Sequence, residues 1–117
     1  MKKRLIVLIL LAVSACGSDK NSEEILDQQA MVSYLVDLHL TEAAITNLRL
    51  SPDSSKYIFA VYEQEILDRH NTTDSIFVRS YNYYLGRPEE LQEIYTAVVD
   101  SLSLKQSLER YWPIHPL

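Results

Sequence analysis

Two polar residues of the sequence, His39 and Glu42, have side chains that could do chemistry together. They lie three positions apart, so on a helix they are neighbours on one surface. A carboxylate among apolar residues could act as a general base or a metal ligand, with the imidazole assisting. It could equally be a structural clasp that accepts hydrogen bonds from His39, a tyrosine, or an arginine such as Arg69 or Arg79, because a buried charge must be paired. We expect a buried polar clasp at His39 and Glu42, and a ligand site is the alternative.

Other patterns of catalytic and metal-binding residues are missing from the sequence. It contains no Glu-x-x-His pair of the di-iron type and no His-Glu-x-x-His zinc motif. Its two glycines cannot form a phosphate-binding glycine loop or a nucleophile elbow. His70 and His115 stand apart from other candidates and are interpreted as surface groups. We therefore expect no catalytic residue, no enzymatic activity, no metal and no cofactor.

The one cysteine, Cys16, follows a segment typical of export. Basic residues 2–4 precede an unbroken apolar run over 5–13, and small side chains follow directly before the cysteine. This order is a secretory signal, and the run is far shorter than the roughly 20 residues that a membrane-spanning helix needs. Val13-Ser14-Ala15-Cys16 resembles the bacterial lipobox, which implies cleavage before Cys16 and covalent lipid on its thiol. A membrane would then be a partner through the lipid anchor.

Removal of residues 1–15 changes the electrostatic character of the chain. Basic residues fall from 11 to 8 against 16 acidic ones, so the formal charge moves from −5 to −8. This acidity argues against nucleic acid as a partner, since phosphate binding needs clustered Lys and Arg. Gly17 differs from the Asp that marks inner-membrane retention in the best-known lipoprotein sorting scheme. We expect export, and the outer membrane rather than the inner one.

The remainder of the chain has the apolar spacing of helices. Asp27 can cap the first helix, and Ser51-Pro52 gives the second a cap followed by a first-turn proline. Residues 71–73 interrupt the helical pattern and can cap a third helix. Gly86 ends this helix, and Pro88 begins a fourth. The predicted helices are 28–48, 52–70, 74–85 and 88 onward. The fold class is all-α, a compact four-helix bundle.

The predicted division of the chain follows from these segments: signal peptide 1–15, lipidated cysteine and tether 16–26, helical domain 27–104, and C-terminal tail 105–117. The first helix has the widest apolar arc and is expected to be central, with His39 and Glu42 inside that arc. The residues expected in the core are Met31, Val32, Tyr34, Leu35, Val36, Leu38, Ala43 and Ile45 of the first helix, Ile58, Phe59, Tyr62 and Ile66 of the second, Ile76, Phe77, Ser80, Tyr81, Tyr83 and Tyr84 of the third, and Leu91, Ile94, Tyr95, Val98 and Leu102 of the fourth.

Several short blocks together resemble a known family. They are Asp37-Leu38-His39-Leu40-Thr41-Glu42-Ala43-Ala44, Leu50-Ser51-Pro52-Asp53-Ser54, Ser80, Tyr83-Tyr84 and Pro88-Glu89-Glu90-Leu91. With the lipobox, these blocks make the chain similar, over residues 25–103, to the small Bacteroidota lipoproteins of domain-of-unknown-function family 4296. The resemblance implies an all-helical, lipid-anchored domain. It supplies no catalytic residues.

The tail departs from that pattern because it is apolar and contains two prolines. It either folds back over the bundle or is a docking segment for another protein, with Tyr111 and Trp112 as anchors. Three functions stay open. The favoured one is a membrane-anchored cell-envelope interaction or assembly module with an envelope protein partner, the second a small-ligand or peptide carrier with a groove near His39 and Glu42, and the third a hydrolase that uses this pair.

Overall fold

The computed structural model describes residues 24–111, which form four α-helices. The helices are α1 (Gln28–Asn47), α2 (Pro52–Arg69), α3 (Asp74–Leu85) and α4 (Pro88–Tyr111). No strand occurs in this part of the chain, so the predicted all-α bundle of four helices is confirmed. The predictions for the signal segment, for Cys16 and for Trp112 and His115 lie outside the described residues.

Three helices begin at the caps that the sequence predicts. The side chains of Asp27, Ser51 and Thr73 each accept a hydrogen bond from the backbone N–H three residues further on, at 2.8, 3.3 and 3.3 Å. Pro52 follows Ser51 directly, at the first position of the helix. A backbone N–H at this position would have no partner within the helix, so proline can occupy it without loss of a hydrogen bond. Each cap stabilises its helix by about 1 kcal/mol.

Two of the helix connections contain a residue in the left-handed backbone region. Arg49, between α1 and α2, and Asn71, between α2 and α3, both have a φ of 50°. Asn tolerates this conformation because its short polar side chain can bond locally, whereas Arg adopts it at a small cost in strain. Arg49 lies where the chain reverses between α1 and α2, and Asn71 lies at the bend where it passes from α2 into α3.

The helices α2 and α3 run in succession against α1. Phe59 of α2 lies near Ile45 at the end of α1, while Ile66 and Leu67, close to the end of α2, pack on Tyr34. The chain then continues in the same direction through α3, whose last turn reaches Leu26, just before α1. α2 therefore covers the second half of α1, here called the distal half, and α3 covers the first, proximal half.

The long helix α4 runs parallel to α1. Gln28 near the start of α1 bonds to Glu90 in the first turn of α4 at 3.5 Å, and Asn47 at the end of α1 lies near Gln106. The main core lies in the proximal half, where α1, α3 and α4 meet. Its buried residues are Met31, Leu35, Val36, Tyr84, Ile94 and Val98. A smaller cluster joins Tyr34 to Ile66 and Leu67.

The predicted burial is wrong at four positions. Ala43, Tyr62, Tyr83 and Tyr95 are exposed. Ala43 lies in the distal half, where α1 packs between α2 and α4 while α3 covers only the other half. A wide apolar arc therefore does not make α1 central along its whole length. α4 also continues to Tyr111, beyond the domain boundary predicted at residue 104.

None of the helices described between residues 24 and 111 is long and apolar enough to cross a membrane.

Candidate functional site

The His39 and Glu42 side chains meet on α1 as their spacing requires. The His39 Nδ1 and Glu42 Oε2 atoms are 3.0 Å apart. The side chains are, however, 40% and 48% exposed, so the prediction of a buried clasp is wrong. The two residues lie on the part of α1 that α3 does not reach. Water can therefore solvate the Glu42 carboxylate, which would need hydrogen-bond donors from the protein if it were buried.

An open depression lies beside this pair, between the end of α1 and the start of α2. Its volume is about 460 Å³. Ile45 and Phe59 provide apolar surface, while Glu42 from α1 and Lys56 from α2 contribute opposite charges. Thr46 and Ser55 complete its lining. The depression is chemically suited to a small molecule that has both a positive and a negative group.

A second polar cluster, which the sequence interpretation missed, joins α1 to the end of α2. His70 Nε2 and Asp37 Oδ2 are 2.8 Å apart, and the His70 side chain is 17% exposed. Arg69 bonds to the same Asp37 oxygen at 3.5 Å and to Glu65 at 3.1 Å. Interpreting His70 as an isolated surface group is therefore wrong. Arg69, which was considered as a possible partner of Glu42, pairs instead with Asp37 and Glu65.

The aromatic ring of Tyr34 lies between this polar cluster and the apolar interior. It contacts the His70 ring edge-on at a centroid distance of 5.8 Å and the Phe77 ring at 4.4 Å. Burial, with smaller contributions from Glu63 and Asp74, raises the pKa of Tyr34 to about 12. The folded domain therefore favours the protonated form of this hydroxyl.

The segment ahead of α1 is held by two side chains of α3. The fully buried Ser80 hydroxyl accepts a hydrogen bond from the Leu26 N–H at 2.8 Å and donates to the Ile76 carbonyl at 2.7 Å. The Tyr84 hydroxyl donates to the Leu26 carbonyl at 2.8 Å. Both polar groups of the Leu26 backbone are thereby satisfied, and the point where the polypeptide enters the domain is fixed.

A further pair of tyrosines bridges α3 and α4. The hydroxyl oxygens of Tyr81 and Tyr95 are 3.2 Å apart. This hydrogen bond and partial burial raise the pKa of Tyr95 to about 12. At the end of α3, the Arg87 guanidinium lies over the Tyr83 ring, 3.6 Å from its centroid, which explains how the exposed Tyr83 is accommodated.

Within residues 24–111, no group of three or more His, Cys, Asp or Glu side chains is placed to hold a metal ion. The polar side chains described above form pairs and one cluster of four, Asp37, Glu65, Arg69 and His70. The cluster of four joins α1 to α2, and the pair of Tyr81 and Tyr95 joins α3 to α4. The depression beside Glu42 is the place where Glu42 could meet a ligand.

Four helices, with α2 and α3 following each other along α1, define a small all-α domain whose entry segment is fastened to α3. The family model described as Domain of unknown function (DUF4296) matches residues 23–107. The chain belongs to this family. No curated protein and no solved structure gives a significant match.

Proposed function

We propose that this protein is a membrane-anchored cell-envelope lipoprotein, as in the small Bacteroidota lipoproteins it resembles, and that its helical domain is a non-enzymatic interaction or assembly module. The lipobox ending at Cys16 supports the anchor, since two or more acyl chains give stable membrane attachment. Export to the outer membrane, with an envelope protein as partner, belongs to the same proposal.

The position of the domain relative to the anchor decides which surface faces away from the membrane. The fixed Leu26 is ten residues from Cys16, a distance of at most about 35 Å. The proximal half is therefore the part of the domain nearest to the attachment point. α1 is 20 residues long, so the distal half begins about 15 Å and ends about 30 Å from the start of α1. The distal half is thus the part of the domain that can reach furthest from the membrane.

The observation that supports the interaction module best is the outer face of α2. Tyr57 is 74% exposed and Val61 is 54% exposed, one turn apart on the same face. Exposed large apolar side chains grouped together mark interaction sites, and tyrosine is a frequent anchor of such sites. Asp53 and Asp68 lie on the same side of the helix. The partner we propose is a protein with an apolar contact bordered by Lys or Arg.

Site-specific photocrosslinking in cells tests the interaction. A crosslinking residue at Tyr57 should capture one discrete partner, and the additional substitution Val61→Asp should abolish this product. A crosslinking residue at Asn82, which is exposed on α3, is the matched control and should not give it. The same product at both positions, or its persistence with Val61→Asp, would exclude this face as the interaction site.

The anchor needs its own test, so that the two parts of the proposal can fail separately. The substitution Cys16→Ser should abolish labelling with a radioactive fatty acid and release the chain from membranes. Continued fractionation with membranes would contradict the lipid anchor. It would leave the crosslinking result at Tyr57 standing.

The depression beside Glu42 favours a second candidate function, a carrier of a small zwitterionic ligand such as an amino acid or a peptide end. A mixture of free amino acids and dipeptides can be tested by saturation-transfer NMR with the purified chain. Binding should disappear in both Glu42→Gln and Lys56→Gln and persist in Glu93→Gln, an exposed carboxylate on α4. Equal loss or equal retention in all three variants would argue against this site.

A further inference from the structure

A groove runs between the parallel helices α1 and α4 in the distal half. Its volume is about 490 Å³. Its apolar lining comes from Leu40, Ala43, Val99 and Leu102, and the polar side chains along it include Gln106. Val99 is 58% exposed and Leu40 is 36% exposed, so apolar surface faces outward in the groove. The groove extends to Glu109, the third residue from the end of α4.

The sequence that follows α4 has the composition of a segment that fills such a groove. Residues 112–117 contain Trp112, Ile114 and Leu117 and no Asp, Glu, Lys or Arg. Pro113 and Pro116 cannot extend the helix, because proline lacks the N–H and disfavours helical backbone in the preceding residue. The two prolines therefore disfavour continuation of α4 through these residues.

Residues 112–117 are long enough to span the groove. Six extended residues reach about 20 Å. The distance back along α4 from Tyr111 to Val99 is twelve helical residues, or about 18 Å. A chain that reverses after Tyr111 thus places Trp112 near Glu109, Ile114 beside Gln106, and Leu117 near Val99.

Covalent attachment makes this internal docking favourable compared with the binding of a separate molecule. A short linker holds the segment at an effective concentration on the order of millimolar. The two prolines also restrict the free segment, which lowers the conformational entropy lost on docking. Burial of the three apolar side chains then supplies the driving force, at about 25 cal/mol per Å² of apolar surface removed from water.

We propose that residues 112–117 fold back into the α1–α4 groove of their own chain, with Trp112 as the anchor at the end of the groove near Glu109. The docked segment covers the apolar surface of Leu40 and Val99. This inference does not depend on the lipid anchor or on the partner proposed for α2.

Disulfide formation between introduced cysteines tests the docked position in the full chain. The pair Gln106→Cys and Ile114→Cys should form an intramolecular disulfide under mild oxidation at least about tenfold faster than a control pair, because docking raises the local concentration of the two thiols. The control is Leu108→Cys with Ile114→Cys. Residue 108 is nearer to the tail in sequence but about 200° around the helix from residue 106.

Peptide mapping identifies which cysteines are joined, so the thiol of Cys16 is distinguished from the introduced ones. Equal or faster reaction of the control pair would overturn the proposal, and so would disulfides between two copies of the chain. Both results would show that the segment lies elsewhere.

Fluorescence of Trp112 gives an independent measurement, because it is the one tryptophan of the chain. Its emission should shift to the red and its quenching by iodide should increase when Val99→Asp is introduced. Leu108→Asp should leave both unchanged. Helical circular dichroism equal to that of the original chain would show that each variant is folded. Emission typical of full solvent exposure in the unmodified chain would refute the docking.

Discussion

The Tyr84 hydroxyl donates a 2.8 Å hydrogen bond to the backbone carbonyl of Leu26, a residue 58 positions earlier in the chain. The neighbouring Ser80 accepts from the N–H of the same residue. Together they fasten the entry to α1 onto the last turns of α3. The entry to α1 is thereby joined to the main core, which contains Tyr84.

The contact between Ser80 and Leu26 should be costly to remove. Ser80→Ala leaves the Leu26 N–H without its partner, and we expect a loss of about 2 kcal/mol in the free energy of unfolding. Ser101→Ala is the matched control. That hydroxyl donates to the Ala97 carbonyl of its own helix, and its loss should cost less than about 0.5 kcal/mol. Urea unfolding measures both, and equal losses would contradict this account of Ser80.

Asp37 connects α1 to the end of α2 through His70 and Arg69. Asp37→Asn weakens the hydrogen bond to His70 and removes the negative charge beside Arg69, so we expect a loss of about 1.5 kcal/mol in the free energy of unfolding. Glu65→Gln removes an exposed partner of Arg69 and should cost less than about 0.5 kcal/mol. Chemical denaturation of the two variants would show no difference if the cluster had no structural importance.

The exposed pair of His39 and Glu42 should contribute little to stability. Glu42→Ala removes an exposed contact within one helix, and the expected loss is below about 0.5 kcal/mol. A clear fall of the melting temperature would mean that Glu42 is buried and paired in solution. Lost binding of a ligand without a change in the melting temperature would support the carrier function.

Two adjacent threonines should respond to mutation in opposite ways. The buried Thr72 hydroxyl has no hydrogen-bond partner among residues 24–111, so Thr72→Val is expected to be neutral or to stabilise by up to about 1 kcal/mol. Thr73→Val removes the N-cap of α3 and should destabilise by about 1 kcal/mol. Thermal unfolding of the pair provides the comparison, and destabilisation by Thr72→Val would reveal an undetected partner.

Alkaline pH should destabilise the domain through its tyrosines. Burial raises the pKa of Tyr34 from 10.0 to about 12, so the folded state favours the protonated hydroxyl. This contribution is fully present below pH 10 and is lost as the pH rises through 12, because the unfolded chain releases its proton first. Tyr34→Phe should reduce the loss of stability between pH 9 and pH 11, as measured by guanidinium unfolding. The exposed control Tyr57→Phe should keep it, and identical losses in both variants would exclude Tyr34 as the cause.

The sequence determined the helices because their signals are local. The caps Asp27, Ser51 and Thr73 act on N–H groups three residues away, and Pro52 acts on the first turn of its own helix. The contact between His39 and Glu42 is local as well, since helical spacing alone brings them together. These predictions needed no knowledge of how the helices pack.

The tertiary structure decided burial and the long-range polar contacts. The sequence gives α1 an apolar arc along its length, but α3 covers only the proximal half, so Glu42 is exposed while Tyr34 is buried. The bond between Asp37 and His70 spans 33 positions, and the bond between Leu26 and Ser80 spans 54. Neither has a local signal, because the partners meet only when α2 and α3 follow each other along α1. The arrangement of the helices depends on interactions summed over the whole domain. It therefore decided burial and these long-range hydrogen bonds, which local spacing could not determine.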